Sequence, residues 1–379
     1  MKNSVVIAGY KRTPFQLANK GAFIKTRPDD LAAAVVEDLL KVSGIDGAEI
    51  EDMILGCAFP EGEQGFNVAR LVVNLAGLPI TVAGTTVNRF CGSSMQAIHM
   101  AAGAIQMGSG HAFICGGLES MTRVPMGGFN PMPNPKLMES YPAAYMGMGQ
   151  TAENLAKKYN ISRQAQEEFA LNSHQKAATA AKDGKFKDEI TPIKTENGII
   201  DSDGTIRADT SLETLATLKP AFDDTGTVTA GTSSPLTDGA GVALVTTEDF
   251  AKEHGLEILA RVKSTAVSGC AAEIMGMGPV SATQKALERA GVTLSDIDII
   301  ELNEAFSAQA LSVIGEMGMD INKVNLDGGA VALGHPLGVS GVRITAKAAQ
   351  IMKREGKSLA LATMCIGGGQ GIATVLEGV

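Results

Sequence analysis

Tryptophan is absent from the 379-residue sequence, and tyrosine and phenylalanine bring the aromatic share to only 4%. Glycine is abundant instead, with 44 copies, a mix that suits close backbone packing and tight turns around reactive loops. An excess of positive charge is also missing. The formal net charge of −9 offers no basic face to a phosphate backbone and argues against nucleic acid as a partner. No apolar run approaches the roughly 18 residues a membrane helix needs. The opening segment MKNSVVIAGYKRTPF has an apolar run too short for the core of a signal peptide. A cytoplasmic protein without a membrane span is the expectation.

Paired cysteines are lacking too. The five cysteines, Cys57, Cys91, Cys115, Cys270 and Cys365, are odd in number, widely spaced and never arranged as CxxC. Neither a disulfide framework nor a zinc site fits that pattern, so no metal is expected. Free thiols remain, most of them packing residues. With 45% hydrophobic and 19% charged residues the chain can bury large cores, and its length predicts two or three domains.

The chain repeats itself. SVVIAG and AFICGG (Ala112–Gly117) read as short buried strands stopped by glycine. Asp30–Gly44 has helical periodicity, with Asp30 as its cap and Gly44 as its stop. Gly44, Ile50, Leu55, Ala58 and Phe59 match Gly291, Ile297, Leu302, Ala305 and Phe306 at a constant offset of 247. Each segment reads as helix, glycine stop, short polar loop and strand, the order of an α/β unit. TVNRFCGSSMQAI then corresponds to KVNLDGGAVALGHPLGVSGVRI, and AFICGG to LALATMCIGGGQG. Between the halves, residues of about 120–245 differ in texture. A Met-, Pro- and Gly-rich stretch leads into the segment RQAQEEFALNSHQKAATAAKDGK, expected as a surface helix, and the whole reads as a lid or substrate-binding segment.

Four stretches carry reactive residues at strand–loop junctions. Cys91 precedes a helix whose apolar positions are Met95, Ile98, Ala101, Ala102 and Ile105. Free amides and the dipole at that helix start would lower its thiol pKa, although a buried structural cysteine fits the local stretch as well. His335 lies in the turn Gly-His-Pro-Leu-Gly, where an imidazole can activate a thiol or face an oxyanion. Cys365 ends an apolar strand before three glycines, a turn that either exposes amides for an oxyanion hole or simply closes a hairpin. Asn303 follows the repeated strand where the first half holds Gly56; a turn or cap residue is its alternative reading. Taken together, the four point to Cys91 as a nucleophile.

These stretches, CGSS, NEAF, GGAVALGHPLGVSG and CIGGGQG, together with GTVTAGTSSPLTDGAG (Gly226–Gly241), resemble the thiolase family along essentially the whole chain. The resemblance implies an α/β fold, the thiolase fold: duplicated βαβ halves in an α-β-α-β-α layered sandwich with an inserted loop domain. It places an N-terminal half at 1–119, completed by about 240–257, the inserted domain at 120–239 and the C-terminal half at 258–379. It implies that Cys91 takes the acyl group, His335 activates it and Cys365 moves the proton. Asn303, through water, and His335 would form one oxyanion hole, and the amides of Cys91 and Gly367 the other. Met148 and Ser234 would line the substrate path, Ser234 near the pantetheine arm. Lys219 would sit near the nucleotide phosphates, or else be a solvated surface charge with Arg207 the next candidate.

No tightly bound cofactor is implied, and coenzyme A enters as co-substrate. Gly147 before Met148 in GMGQTAEN, and GTSS (Gly231–Ser234) where biosynthetic members carry NAS, resemble the degradative 3-ketoacyl-CoA thiolases of bacterial β-oxidation. An acetoacetyl-CoA enzyme working in the condensing direction and a non-catalytic acyl-CoA-binding relative are the alternatives. A homodimer or tetramer is implied, alone or beside a multifunctional β-oxidation α subunit.

Overall fold

A computed structural model describes residues 4–379. Among the described residues twelve strands form: β1 Val5–Arg12, β2 Gln16–Leu17, β3 Asp52–Gly56, β4 Ala83–Val87, β5 Ala112–Ser120, β6 Ile193–Thr195, β7 Gly198–Ile200, β8 Thr237–Thr247, β9 Ala260–Gly269, β10 Ile299–Leu302, β11 Leu359–Ile366 and β12 Gln370–Glu377. Ten of them join in one sheet, nine along the path β10-β11-β12-β9-β1-β8-β5-β3-β4 and β2 off it, paired with β8. The path has a seam. Its first-half part, β4-β3-β5-β8-β1, meets its second-half part, β9-β12-β11-β10, only through Val6 opposite Arg261 and Ile7 opposite Ala260. Each part has the same internal order. β3 is parallel to β5, which is antiparallel to β8; β10 is parallel to β11, which is antiparallel to β12.

The repeat read from sequence is therefore a repeat of structure. The helices Pro28–Ser43 and Gly278–Ala290 stop at Gly44 (φ 70°) and Gly291 (φ 69°), left-handed positions that glycine reaches without strain. Short 3-10 turns at Gly47–Glu49 and Leu294–Asp296 follow, then β3 and β10. The first helix begins earlier than expected. Arg27 is the capping position, Pro28 opens the helix, and Asp29 and Asp30 sit in its first turn.

Helices and sheets stack in five layers. Leu31, Val35 and Val72 pack on the outer face of the first sheet, and Ala282, Leu287 and Val313 on the outer face of the second. Between the sheets lie the helices Ser93–Met107 and Ser340–Arg354, which contribute Met95, Ile98, Val342 and Ile344 to the shared core. Ser340–Arg354 is buried almost all round, as a helix enclosed between two sheets must be. Their N-termini, which carry Cys91 and follow His335, thus meet at one end of the central layer. The hydroxyl of Ser94 accepts the amide of Val342 at 2.9 Å.

Residues 120–236 contain the helices Pro135–Ser140, Met148–Lys158 and Arg163–Lys182 and the hairpin β6–β7. Arg163–Lys182 was expected as a polar surface helix, yet it buries one face. The reason is its packing on the second half: Ser173 donates to the Glu304 carboxylate at 2.6 Å and Lys176 to the Val324 carbonyl at 2.9 Å. Its buried side includes Gln166, Glu167, Ser173 and His174, so polarity gave no sign of burial.

Candidate active site

Cys91 is half-buried in a 3-10 turn, Phe90–Gly92, that runs straight into the helix Ser93–Met107. Phe90 holds a left-handed φ of 42°, uncommon outside glycine. Three bonds keep it there. Its amide donates to the Asn88 side chain at 2.8 Å, its carbonyl accepts from the Ser93 hydroxyl at 2.6 Å, and that hydroxyl accepts the Arg89 amide at 2.9 Å. Gly92 leaves room for β11: an added Cβ would lie 2.6 Å from Ile366. The expected lowering of the thiol pKa is not found. Burial pushes it up to about 11, and the amides of Gly367 and Cys91 itself oppose this only in part.

His335 is buried with a polar partner at each ring nitrogen. Ser340 Oγ lies 2.5 Å from Nδ1 and 3.2 Å from the Pro336 carbonyl; with its one proton on that carbonyl it accepts from Nδ1–H, the tautomer a base at Nε2 requires. Nε2 is left as a lone pair, 3.4 Å from Asn303 Nδ2. The His335 amide donates to Thr237 Oγ1 at 3.0 Å, which ties the turn to β8. Burial, reinforced by the Arg343 charge, lowers the imidazole pKa to about 3 and keeps the ring neutral. A neutral ring with an open Nε2 can accept a thiol proton.

Asn303 directly follows β10, its amide bonded to the Thr363 carbonyl at 3.1 Å. Its Oδ1 is buried without a hydrogen-bond partner. Glu301, two residues earlier, accepts from Arg343 at 2.9 Å and so clips this strand to the helix that follows His335. Cys365 sits near the end of β11 opposite Gly371 of β12 and is fully buried. Burial, and next the nearby Cys91 charge, raise its thiol pKa well above the ordinary value. Gly367 begins the following turn. A Cβ there would make only ordinary contacts, 3.5 Å from Phe90 and 3.6 Å from the Met148 sulfur, so space alone does not demand glycine.

Cys91, His335 and Cys365 all line one cavity of about 560 Å³. Met148, Phe222, Met275 and Phe306 give it a mostly apolar wall. Ser234 is on the wall as well, its amide and hydroxyl both donating to the Ala305 carbonyl at 3.0 and 2.9 Å. Asn303 stands behind His335 and Gly367 beside Cys91. Lys219 is not brought in: it is exposed, although Ala221 and Phe222 of the same segment line the cavity. Arg207 is also exposed, with its backbone amide on His174 Nδ1 at 3.1 Å. Among the described residues no group of three or more His, Cys, Asp or Glu side chains is arranged to hold a metal ion.

Three residues were passed over in sequence: Ser340, Asn88 and Glu119. Glu119 is the one with a visible signal, an acid near the end of a strand in which every residue is buried. Its carboxylate accepts the amides of Ala58 and Gly338, both at 2.8 Å, and the Gln64 side chain at 2.9 Å. Burial raises its pKa against those bonds.

A thiol, a neutral imidazole and a second thiol around one apolar cavity, with the Gly367 amide on the first thiol, are the equipment of covalent acyl transfer. Comparison with known proteins agrees. A family model described as the thiolase N-terminal domain matches residues 5–249, and one described as the thiolase C-terminal domain matches residues 256–378. The chain is 47% identical over 390 residues to a 3-ketoacyl-CoA thiolase of Bacillus subtilis, with all of both chains covered. It is 51% identical over 387 residues to one of Photobacterium profundum and 52% identical over 387 residues to one of Aliivibrio fischeri, again with both chains covered in full. The expected fold and family are thereby met, and the chain belongs to the thiolase family.

Proposed function

We propose that this chain is an acyltransferase that cleaves 3-ketoacyl-CoA with coenzyme A, giving acyl-CoA and acetyl-CoA. The convergence of Cys91, His335 and Cys365 on one apolar cavity carries the proposal. His335 Nε2 takes the Cys91 proton as sulfur attacks the 3-keto carbon. The C2–C3 bond breaks, its electron pair leaves as the acetyl-CoA enolate, and Cys365 gives that carbon a proton. The Cys365 thiolate then deprotonates incoming coenzyme A, whose sulfur displaces the acyl group from Cys91, and His335 returns its proton to the Cys91 sulfur. Asn303, through water, and His335 hold one developing oxyanion; the amides of Cys91 and Gly367 hold the other. Because burial keeps both thiols and the imidazole neutral at rest, proton transfer accompanies attack and no standing thiolate–imidazolium pair is needed.

The degradative reading is supported by the names of the full-length relatives, and the alternatives, acetoacetyl-CoA condensation and binding without catalysis, are not favoured. It carries coenzyme A as co-substrate with no tightly bound cofactor, and a place in cytoplasmic fatty acid β-oxidation. For domains we assign 1–119 and about 240–257 to the first half, 120–239 to the insertion and 258–379 to the second half. β8, lying between β1 and β5 after the insertion, supports that division. A homodimer or tetramer, with or without a multifunctional α subunit, suits the sheet edge at β4, beside which Phe66 and Ile80 are 94% and 85% exposed. No helix among the described residues is long and apolar enough to cross a membrane.

The direct assay follows loss of 3-ketoacyl-CoA absorbance across short and long acyl chains. Loss that requires added coenzyme A is expected; none at any chain length refutes the proposal. Met148 and Ser234 are assigned to the substrate path, and Lys219, outside the cavity wall, to the nucleotide phosphates. Lys219→Ala should raise KM for coenzyme A several-fold with kcat nearly unchanged, the mark of lost uniform binding. An unchanged KM removes Lys219 from the site.

A further inference from the structure

Cys91 and His335 belong to different halves of the duplicated fold, so something must set the spacing between their loops. Gly338, three residues after His335, is wedged between the ends of β3 and β5: a Cβ there would lie 2.8 Å from the carbonyls of both Gly56 and Leu118. Its amide donates to Glu119 Oε2 at 2.8 Å, and the same oxygen accepts the Ala58 amide at 2.8 Å. The Ala58 carbonyl accepts from Asn88 Nδ2 at 3.0 Å, and Asn88 Oδ1 accepts the Phe90 amide at 2.8 Å. The chain of contacts thus runs unbroken from the His335 turn to the residue before Cys91.

We infer that Glu119 and Asn88 are positioning residues that set the nucleophile loop against the base loop through the relay Gly338–Glu119–Ala58–Asn88–Phe90. The inference rests on the reading of Cys91 as nucleophile and His335 as its base. Two features favour positioning over plain packing. Every polar group around the Glu119 carboxylate is a donor: the amides of Ala58, Phe59 and Gly338, the Gln64 side chain and the Cys57 thiol. A neutral acid would have to turn its proton toward one of them, so each of these bonds favours the charged carboxylate against the burial that opposes it. Asn88, by contrast, is exposed and stabilises no core. Its two bonds serve only to join the Ala58 carbonyl to Phe90, whose left-handed backbone aims the following cysteine.

The test compares Asn88→Ala, Glu119→Gln and the double variant in the full-length enzyme. A misplacement of about 1 Å costs on the order of 10²-fold in rate. Each single variant should therefore lose about 10- to 100-fold in kcat, with KM for acetoacetyl-CoA within about twofold. The double variant should be no worse than the poorer single one, because both break the same chain of contacts. Alkylation of Cys91 by iodoacetamide should slow in each variant, yet show no further loss when Asn88→Ala is added to His335→Ala. Wild-type kcat and alkylation in folded Asn88→Ala would overturn the inference, as would a lowered melting temperature with turnover per folded enzyme unchanged. Should Glu119→Gln fail to fold, Asn88→Ala decides alone. If His335→Ala itself keeps wild-type turnover, the underlying assignment of base and nucleophile has failed; if His335→Ala is inactive while Asn88→Ala is normal, only the relay has failed.

Discussion

Replacing Ser340 by alanine removes the hydroxyl that accepts the Nδ1 proton of His335 in its working tautomer. In the intact protein Nδ1–H is accepted by Ser340 Oγ, whose own proton is committed to the Pro336 carbonyl. Without the hydroxyl, that N–H is left buried and unpaired, at a cost of about 1–3 kcal/mol. The other tautomer then gains ground, because an Nε2–H pairs with the Asn303 amide once that side chain turns over and brings its unpartnered Oδ1 to where Nδ2 stands, 3.4 Å from the ring. In that state Nε2 has no lone pair for the Cys91 proton. The penalty converts to a loss of about fivefold to about 150-fold in the rate of acyl-enzyme formation. Rapid-quench measurement of acylation by 3-ketoacyl-CoA reads this step apart from product release. Ser340→Thr keeps a hydroxyl and should recover part of the rate, which a mere packing defect at this buried site would not allow. Acylation at the wild-type rate in Ser340→Ala would refute the tautomer argument.

Asn303→Ala should lower kcat by about 10² to 10³, the usual effect of losing an oxyanion-hole donor, with the fold intact by circular dichroism; full turnover would make Asn303 only a turn residue. For pH, burial holds the Cys91 thiol near 11, so below that value the thiolate fraction grows tenfold per pH unit. The rate of Cys91 alkylation by iodoacetamide should accordingly climb from pH 7 to pH 10 without levelling. A plateau near pH 8 would show that the helix-start amides outweigh burial after all.

Much of the architecture was written locally. The matched glycines Gly44 and Gly291, and the constant offset between the halves, located two equivalent units because helix stops and strand starts depend on near neighbours. The cysteine and histidine loops stood out for the same reason: a reactive residue close to glycine at the end of a strand or the start of a helix. What sequence could not supply was burial and long-range bonding. Desolvation reverses the pKa shift that a helix start alone gives Cys91, and nothing in CGSS reveals how deep the thiol lies. The bond from Glu119 to Gly338 joins residues 219 apart, and Ser340 gains its meaning only through the turn made by Pro336. The helix Arg163–Lys182 misled for a related reason, since its polar face finds partners such as Glu304 inside the second half.

The central claim is that one thiol carries the acyl group and the other moves protons. Its most direct test is peptide mass spectrometry after acid quench of the enzyme with acetyl-CoA. An acetyl mass on the Cys91 peptide is expected in the wild type and, in part, in Cys365→Ala, with no label anywhere in Cys91→Ala. Acetyl on Cys365, or equal labelling of the two variants, would contradict it.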